Sequence, residues 1–170
     1  YSDPKPDIFA DSGAFSAMTQ GVNISCKEYG DCKKKWQHLF TSYANLDVIK
    51  NAEATWENQQ KLEGMGLEPI PVFHVAEDFE WLEKYINNYK YIALGVAGSQ
   101  AKKNKVMAWV TKCFRYGENR VVYHGFGITS WLMLNSFRWY SVDSSSWGSG
   151  FRYGIISLFD YNVGRFYKIS

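Results

Sequence analysis

The sequence predicts an α/β fold with parallel strands, because short β-branched or aromatic runs alternate with longer amphipathic stretches along its 170 residues. No GxGxxG or GxxxxGK[ST] turn follows the first strand-like run, which argues against a doubly wound nucleotide fold. Polar residues follow several different strand-like runs instead, as is typical of a (β/α)₈ TIM barrel. A usual barrel has ~250 residues. We therefore expect residues 1–170 to form a single TIM-barrel-like domain, complete or incomplete, within a longer protein.

Strands are predicted where β-branched and aromatic residues are bounded by Gly, Asn, Asp or Ser. These runs are Asp7–Ala10, Tyr43–Ile49, Glu68–Val75, Tyr91–Leu94, Arg120–His124, Tyr140–Val142 and, less clearly, Gly154–Leu158. Helices are predicted at Lys27–Leu39, Ala52–Gly64, Glu77–Asn88, Lys102–Tyr116 and Ser130–Asn135. This alternation implies right-handed crossovers between parallel strands.

Helical periodicity supports two of these helices most clearly. One face of Ala52–Gly64 collects residues at three- and four-residue steps, namely Ala52, Thr55, Trp56, Gln59 and Leu62. The apolar stripe of Glu77–Asn88 consists of Phe79, Leu82, Tyr85 and Ile86. Neither helix is expected to fold alone, so both should cover a sheet.

Composition narrows the functional classes. Neither the three cysteines nor the three histidines show CxxC or HxxxH spacing, which predicts reduced thiols in a cytoplasmic chain and no metal within this segment. No secretory signal and no apolar run near the ~20 residues of a membrane span are present, so we expect a soluble protein without a membrane partner. A net charge of +2 is too small to indicate a nucleic-acid partner by itself. The run Lys33–Lys35 could contact phosphates, although such a run is usually the solvated face of a helix.

Polar or glycine residues follow the predicted strands at the same end. They are Asp11, Asp47, His74, the Gly95–Gly98 loop, the His124–Gly127 segment and Asp143. The carboxyl ends of parallel strands meet at one mouth of a barrel, where its chemistry lies. Each residue also has a structural interpretation: the aspartates as helix caps or satisfied strand ends, the histidines as core residues, and the glycines as turn formers.

Two strand-end aspartates suit cleavage at an acetal-like carbon. One carboxylate attacks the anomeric carbon, and another group transfers a proton to or from the departing base. This chemistry needs no metal. Serine-nucleophile chemistry is less favoured, because the sequence has no GxSxG turn. Aromatic residues make up 18% of the chain and crowd around Asp143 as either core or a base-stacking wall. They are Trp131, Phe137, Trp139, Tyr140, Trp147, Phe151 and Tyr153.

Several of these segments together resemble the guanine transglycosylases, and most closely the branch of phages and bacteria that modifies DNA. The segment Asp11–Phe15, DSGAF, is similar to the DSGGFQ loop of that family. Asn45-Leu46-Asp47, Ala93-Leu94-Gly95 with Gly98, and the late Asp143 follow in the family's order. These enzymes are TIM barrels that exchange guanine for a 7-deazaguanine base.

The resemblance implies a role for each matching residue. Asp143 would be the nucleophile that attacks C1′, and Asp11 would bind the base and transfer a proton. Asp47 would accept the amine and ring N–H of a guanine-like base, a role that suits a carboxylate. The remaining base-binding residues would be Ser12, Gly13, His74 and Gly95. The zinc site of the family would lie outside this segment, so no cofactor is expected within it.

Departures from the family pattern bear on the substrate. Ala14 and Ser16 replace the second Gly and the Gln of DSGGFQ, and Ser144-Ser145-Ser146-Trp147 replaces the Pro-Thr-Arg pattern of the transfer-RNA enzymes. We therefore expect exchange of guanine in DNA for a base such as preQ0. The alternatives are a transfer-RNA guanine transglycosylase, a non-catalytic nucleic-acid-binding barrel and an unrelated TIM-barrel glycosidase.

Overall fold

The computed structural model of the chain describes residues 6–75, 77–96, 103–144, 148, 150, 152 and 154–169. The strands are β1 Phe9–Ala10, β2 Ser42–Tyr43, β3 Val72–His74, β4 Tyr91–Gly95, β5 Val122–Phe126, β6 Ser141–Val142, β7 Ile156–Asp160 and β8 Arg165–Ile169. The helices are α1 Ala14–Gln20, α2 Cys26–Trp36, α3 Ala52–Gly64, α4 Phe79–Asn88, α5 Lys103–Tyr116 and α6 Trp131–Ser136, with a 3₁₀ turn at Gln37–Leu39.

The first six strands are parallel and are arranged in chain order. β1 pairs with β2, and β3, β4, β5 and β6 form a four-stranded sheet in that order. A parallel bridge between Ala44 and Ile70 joins the two sheets, and the Asn45 amide donates to the Ile70 carbonyl over 2.8 Å. The prediction of an α/β fold with parallel strands is therefore confirmed.

A closed barrel is not formed by the described residues. The two parallel sheets curve towards each other. This curvature is evident from the Phe9 ring of β1, which stacks on the His124 ring of β5 with centroids 4.1 Å apart. However, β1, β2 and β6 are only two residues long, and no ladder between β6 and β1 is found in the described ranges. The TIM-barrel-like domain expected from the sequence, complete or incomplete, thus goes further than the parallel sheets that the described residues form.

The last predicted strand, Gly154–Leu158, was expected to continue the βα alternation, and that expectation is wrong. β7 pairs antiparallel with β8 through a four-residue turn at 161–164, in which Gly164 has φ +62°. A parallel neighbour needs a crossover of about a dozen residues or more. Because the turn is too short for that, these strands form a separate hairpin, which contacts α6 through the Phe159 and Trp131 rings.

Side-chain alternation along the strands separates two packed layers. Ile92 and Leu94 of β4 point towards the helices and join a core with Leu82 and Tyr85 of α4 and Val110 of α5. The opposite face carries a smaller apolar cluster that includes Ala44, Val72 and Ala93, with Phe9 and Phe126 packed against it. The polar residues near the strand ends lie beyond this second cluster.

The predicted helices agree with the structure to differing degrees. α3 has the predicted bounds, with Thr55, Gln59 and Leu62 buried, and α4 buries Leu82, Tyr85 and Ile86 as expected. α4 begins two residues later than predicted, because Glu77 binds back to His74 instead of entering the helix. α1 was not predicted, since it has no buried residue and hence no apolar periodicity.

Several strand boundaries also differ from the prediction. The predicted strand Tyr43–Ile49 ends early because the side chain of Asn45 donates to the Thr55 carbonyl of α3 over 2.9 Å and the chain turns there. The predicted strand Arg120–His124 begins instead at Val122, since the Arg120 amide closes a turn on the Gly117 carbonyl. Among the described helices, none has the length and apolar character needed to cross a membrane.

Candidate functional site

The predicted strand-end residues fall into two clusters, and the second cluster also includes Tyr91 and Ser141, the first residues of β4 and β6. The first cluster consists of Ser12, Asp47, His74 and Glu77, and the second of Tyr91, His124, Gly127, Ser141 and Asp143. Phe9 connects them, because it lies two residues before Asp11 and stacks on His124. No direct hydrogen bond joins the two clusters within the described ranges.

The first cluster is a continuous hydrogen-bonded chain across the ends of β1, β2 and β3. The Ser12 hydroxyl donates to Asp47 Oδ1 over 2.8 Å, and Asp47 Oδ2 lies 2.8 Å from His74 Nε2. On the other side of the ring, His74 Nδ1 lies 3.1 Å from Glu77 Oε1, and the His74 amide donates to Glu77 Oε2 over 3.0 Å. One imidazole is therefore held between two carboxylates.

These charged groups are nearly inaccessible to solvent. The side chains of His74, Asp47 and Glu77 are 8%, 10% and 5% exposed. Burial by itself lowers the pKa of His74, but the hydrogen bonds and charges of Asp47 and Glu77 outweigh it and raise the pKa to about 9. His74 is therefore an imidazolium at neutral pH, and both of its ring nitrogens are donors.

Gly95 provides the space for this imidazolium. It pairs with His74 across β3 and β4, and a Cβ built on it would lie 2.5 Å from His74 Cδ2 and 3.1 Å from Nε2. The absence of a side chain at Gly95 thus allows the ring to lie across the strand. The remainder of the predicted glycine loop, Ala97 and Gly98, lies outside the described residues.

We expect Gly95→Ala to destabilise the protein by about 1–3 kcal/mol, the usual cost of overpacking a tight site. The His74 ring cannot easily move away from the added methyl group, because both of its nitrogens are hydrogen bonded. Urea unfolding at neutral pH measures the change. Gly64→Ala is the matched control, since nothing lies within 4 Å of a Cβ at that position. Equal stability of the two variants would contradict the packing argument.

Asp11 borders the first cluster and is exposed. Its Oδ1 accepts from the Ser12 amide over 2.6 Å, and the Ser12 hydroxyl accepts from the Ala14 amide over 3.1 Å. The alternative of a helix cap at Asp11 is wrong, because Gly13, at φ +74°, is the N-cap of α1. Gly13 is thus placed as a turn residue next to the cluster.

Lys33 lies next to Asp11 and is not solvated, although the run Lys33–Lys35 was expected to form the solvated face of a helix. It is buried, with its amine 4.9 Å from the Tyr29 and Phe40 ring centroids and 3.4 Å from the Asp11 carbonyl, to which it donates. Burial lowers the pKa of this amine. Lys34 and Lys35 are exposed, as predicted.

The second cluster surrounds Asp143, directly after β6. Asp143 Oδ1 accepts from the Gly127 amide over 2.9 Å and lies 3.8 Å from His124 Nε2. That second distance is longer than a hydrogen bond, so in this structure His124 is a close polar neighbour of the carboxylate. Although burial raises the pKa of Asp143, His124 and the Gly127 amide outweigh it and lower the pKa. The side chain is 44% exposed, so an ionised carboxylate is open to a ligand.

The aromatic residues near Asp143 divide between core and surface. Phe137 and Trp139 pack on the main core, and Trp139 Nε1 donates to the Met133 carbonyl, so these rings have the structural role. Trp131 and Tyr140 are exposed. The rings of Trp147, Phe151 and Tyr153 lie outside the described residues.

Some members of the clusters were not selected from the sequence. Glu77 could have been found from its position three residues after His74, which brings the two side chains together at a turn. The sequence places His124 and Gly127 among the strand-end residues but predicts no role for them. Tyr91 and Ser141 gave no signal, since their contact depends on the pairing of β4, β5 and β6. Within the described residues, no group of three or more His, Cys, Asp or Glu side chains could hold a metal ion.

No protein-family model, no curated protein and no solved structure matches this chain. The functional argument therefore depends on the chemistry of the two clusters.

Proposed function

We propose that this chain is a cytoplasmic base-exchange glycosyltransferase, which replaces guanine in DNA with a 7-deazaguanine base such as preQ0 through a covalent intermediate on Asp143. In this proposal the curved parallel sheets are part of a (β/α)₈ barrel. The sequential order of β1 to β6 and the location of the polar residues at the carboxyl ends support that fold.

The environment of Asp143 is the observation that carries the proposal. A nucleophilic carboxylate must be ionised, fixed and open to substrate at the same time. Asp143 has a lowered pKa, a hydrogen bond from the Gly127 amide and a half-buried side chain. These three properties together meet the requirements of a nucleophile.

The exchange takes place in two displacements at C1′. Asp143 attacks C1′ to form a C–O bond, while the C1′–N9 bond breaks and its electron pair leaves with guanine, which takes up a proton at the base. The N9 of the incoming base then attacks C1′, the C–O bond breaks, and its electron pair returns to Asp143. The incoming base loses its N9 proton, and two displacements retain the configuration at C1′.

Asp11 and the first cluster form the proposed base-recognition region. Asp11 is exposed and can carry a proton to or from the base. Asp47 already accepts from Ser12 and His74 and is 10% exposed, so an N–H of a guanine-like base would reach a free lone pair of the carboxylate at that exposed edge. The contact with His74 fixes the orientation of the Asp47 carboxylate. Ser12, Gly13 and Gly95 shape the wall of this region.

DNA is the proposed substrate rather than transfer RNA, because the segment after Asp143 lacks the Pro-Thr-Arg pattern of the transfer-RNA enzymes. A guanine must leave the base stack before C1′ can be attacked from the opposite side. Single-stranded or locally opened DNA is therefore the preferred form of the substrate.

Incorporation of a labelled base tests the proposal directly. The protein is incubated with labelled preQ0 and either DNA or transfer RNA, and the nucleosides are then analysed by mass spectrometry. Label in DNA is the expected result. Label in transfer RNA alone would transfer the assignment to that substrate, and salt-sensitive binding without label would indicate a non-catalytic binding protein.

A further inference from the structure

We propose that Tyr91, Ser141 and His124 form a hydrogen-bonded relay that positions the carboxylate of Asp143, with His124 as the positioning residue. This inference deepens the proposed function, since it concerns the same nucleophile. It assigns a role to three side chains that neither the strand-end pattern nor the proposed chemistry requires.

The geometry of the relay is continuous from β4 to the end of β6. The Tyr91 hydroxyl lies 2.5 Å from Ser141 Oγ, and Ser141 Oγ lies 2.6 Å from His124 Nδ1. His124 Nε2 then lies 3.8 Å from Asp143 Oδ1. The register of β5 against β6, in which His124 is opposite Ser141, brings these groups together.

The rings around His124 fix its orientation. Phe9 stacks on it at 4.1 Å with an interplanar angle of 7°, and Phe126 meets it edge-on at 4.6 Å. The residue is 1% exposed. Phe9, Phe126 and the Ser141 hydrogen bond hold the imidazole with its Nε2 3.8 Å from Asp143 Oδ1.

The hydrogen-bond directions along the relay are consistent with donation to Asp143. Burial raises the pKa of Tyr91, so its hydroxyl remains protonated and can donate to Ser141. When Ser141 donates its proton to His124 Nδ1, Nε2 is the ring nitrogen that carries an N–H. Within the described residues, this buried nitrogen has no hydrogen-bond partner, and Asp143 Oδ1 is the acceptor that faces it. Buried polar groups are rarely left in this state, and catalytic contacts often shorten when substrate binds.

The relay determines which oxygen reacts. Oδ1 is held by the Gly127 amide and faces the His124 N–H, so Oδ2 is the atom that forms the C–O bond. In the second displacement the electron pair of that bond returns to the carboxylate. The N–H groups of Gly127 and His124 stabilise the negative charge that develops at this stage.

Titration of Asp143 by ¹³C NMR tests the relay independently of activity. The protein is labelled at the aspartate carboxyl carbon, and Asp143→Asn assigns its signal. In His124→Phe, which retains the stacked ring and removes both nitrogens, we expect the pKa of Asp143 to rise towards its ordinary value of 3.8 or above. Ser141→Ala and Tyr91→Phe, which leave the imidazole in place, should shift it in the same direction by less.

Among the described residues in contact with His124, Asp143 is the titratable group, since Phe9 and Phe126 present only rings and Tyr91 reaches His124 through Ser141. His38→Phe is the matched control at an exposed histidine of the 3₁₀ turn, and it should leave the Asp143 titration unchanged. If His124→Phe does not fold, Ser141→Ala provides the test. An Asp143 pKa that is the same in wild type and in the folded relay variants would overturn the inference.

Base exchange by the same variants separates this inference from the proposed function. We expect His124→Phe to lower the exchange rate by about a hundredfold, the effect of displacing a reacting group by about 1 Å. The acidic limb of its pH profile should move in parallel with the NMR titration. If the wild type exchanges no base while the NMR shift is observed, the proposed function fails and the relay stands.

Discussion

Asp143→Asn is expected to reduce base exchange by roughly 10⁴-fold or more, the scale of removing a catalytic nucleophile. The neutral amide cannot form the ester with C1′, yet its oxygen can still accept from the Gly127 amide as Asp143 Oδ1 does over 2.9 Å. The fold should therefore be retained while the covalent intermediate is lost. Nucleoside mass spectrometry measures the rate, and intact-protein mass spectrometry measures the intermediate.

Asp31→Asn is the matched control for this experiment. Asp31 is exposed on α2, where it pairs with Lys27 over 2.6 Å, and a surface ion pair of this kind contributes little to stability. The control should exchange base at the wild-type rate. An Asp143→Asn protein that still exchanged base at that rate would exclude Asp143 as the nucleophile and with it the covalent mechanism.

Helix α3 illustrates how much of the fold is predictable from the sequence. Its apolar and polar faces alternate with helical periodicity, Asn51 caps its first turn by accepting from the Ala54 amide, and glycines end it. All of these signals are local. The strand boundaries are predicted less accurately. The side chain of Asn45 donates to the Thr55 carbonyl of a helix, and the Arg120 amide closes a turn, and neither contact follows from a local sequence pattern.

The candidate site was predictable to the extent that it depends on strand ends. Parallel pairing brings the ends of neighbouring strands to one edge, so Asp47 and His74 meet as the order of the elements implied. The partners that set the charge of His74 and hold His124 depend on tertiary geometry. Glu77 turns back before α4, and Ser141 meets Tyr91 only across the pairing of three strands.

The two clusters place charge in opposite environments. His74 is a buried cation that two carboxylates compensate, and Asp143 is a half-exposed anion that accepts from the Gly127 amide and lies near His124. Environments that shift the pKa values of titratable groups in different directions are typical of functional sites. The first cluster also contributes to the stability of the fold, because removing the cation of His74 would leave the buried carboxylates of Asp47 and Glu77 uncompensated.

His74→Gln is expected to lower the free energy of unfolding by about 3 kcal/mol at pH 6, within the range for breaking a buried ion pair. The same magnitude follows from linkage, since a rise in the His74 pKa from 6.5 to about 9 corresponds to roughly 3 kcal/mol. Because the folded-state pKa is the higher one, this stabilisation is fully present below pH 6.5. It is lost as the pH rises through about 9.

Urea unfolding between pH 6 and 10 measures this effect in wild type and variant. The wild-type stability should fall across that interval, and the His74→Gln curve should be flatter, so that the two approach each other at alkaline pH. His38→Gln is the control at an exposed histidine and should follow the wild-type curve. If His74→Gln and wild type lose stability in parallel as the pH rises, the stabilising buried imidazolium does not exist.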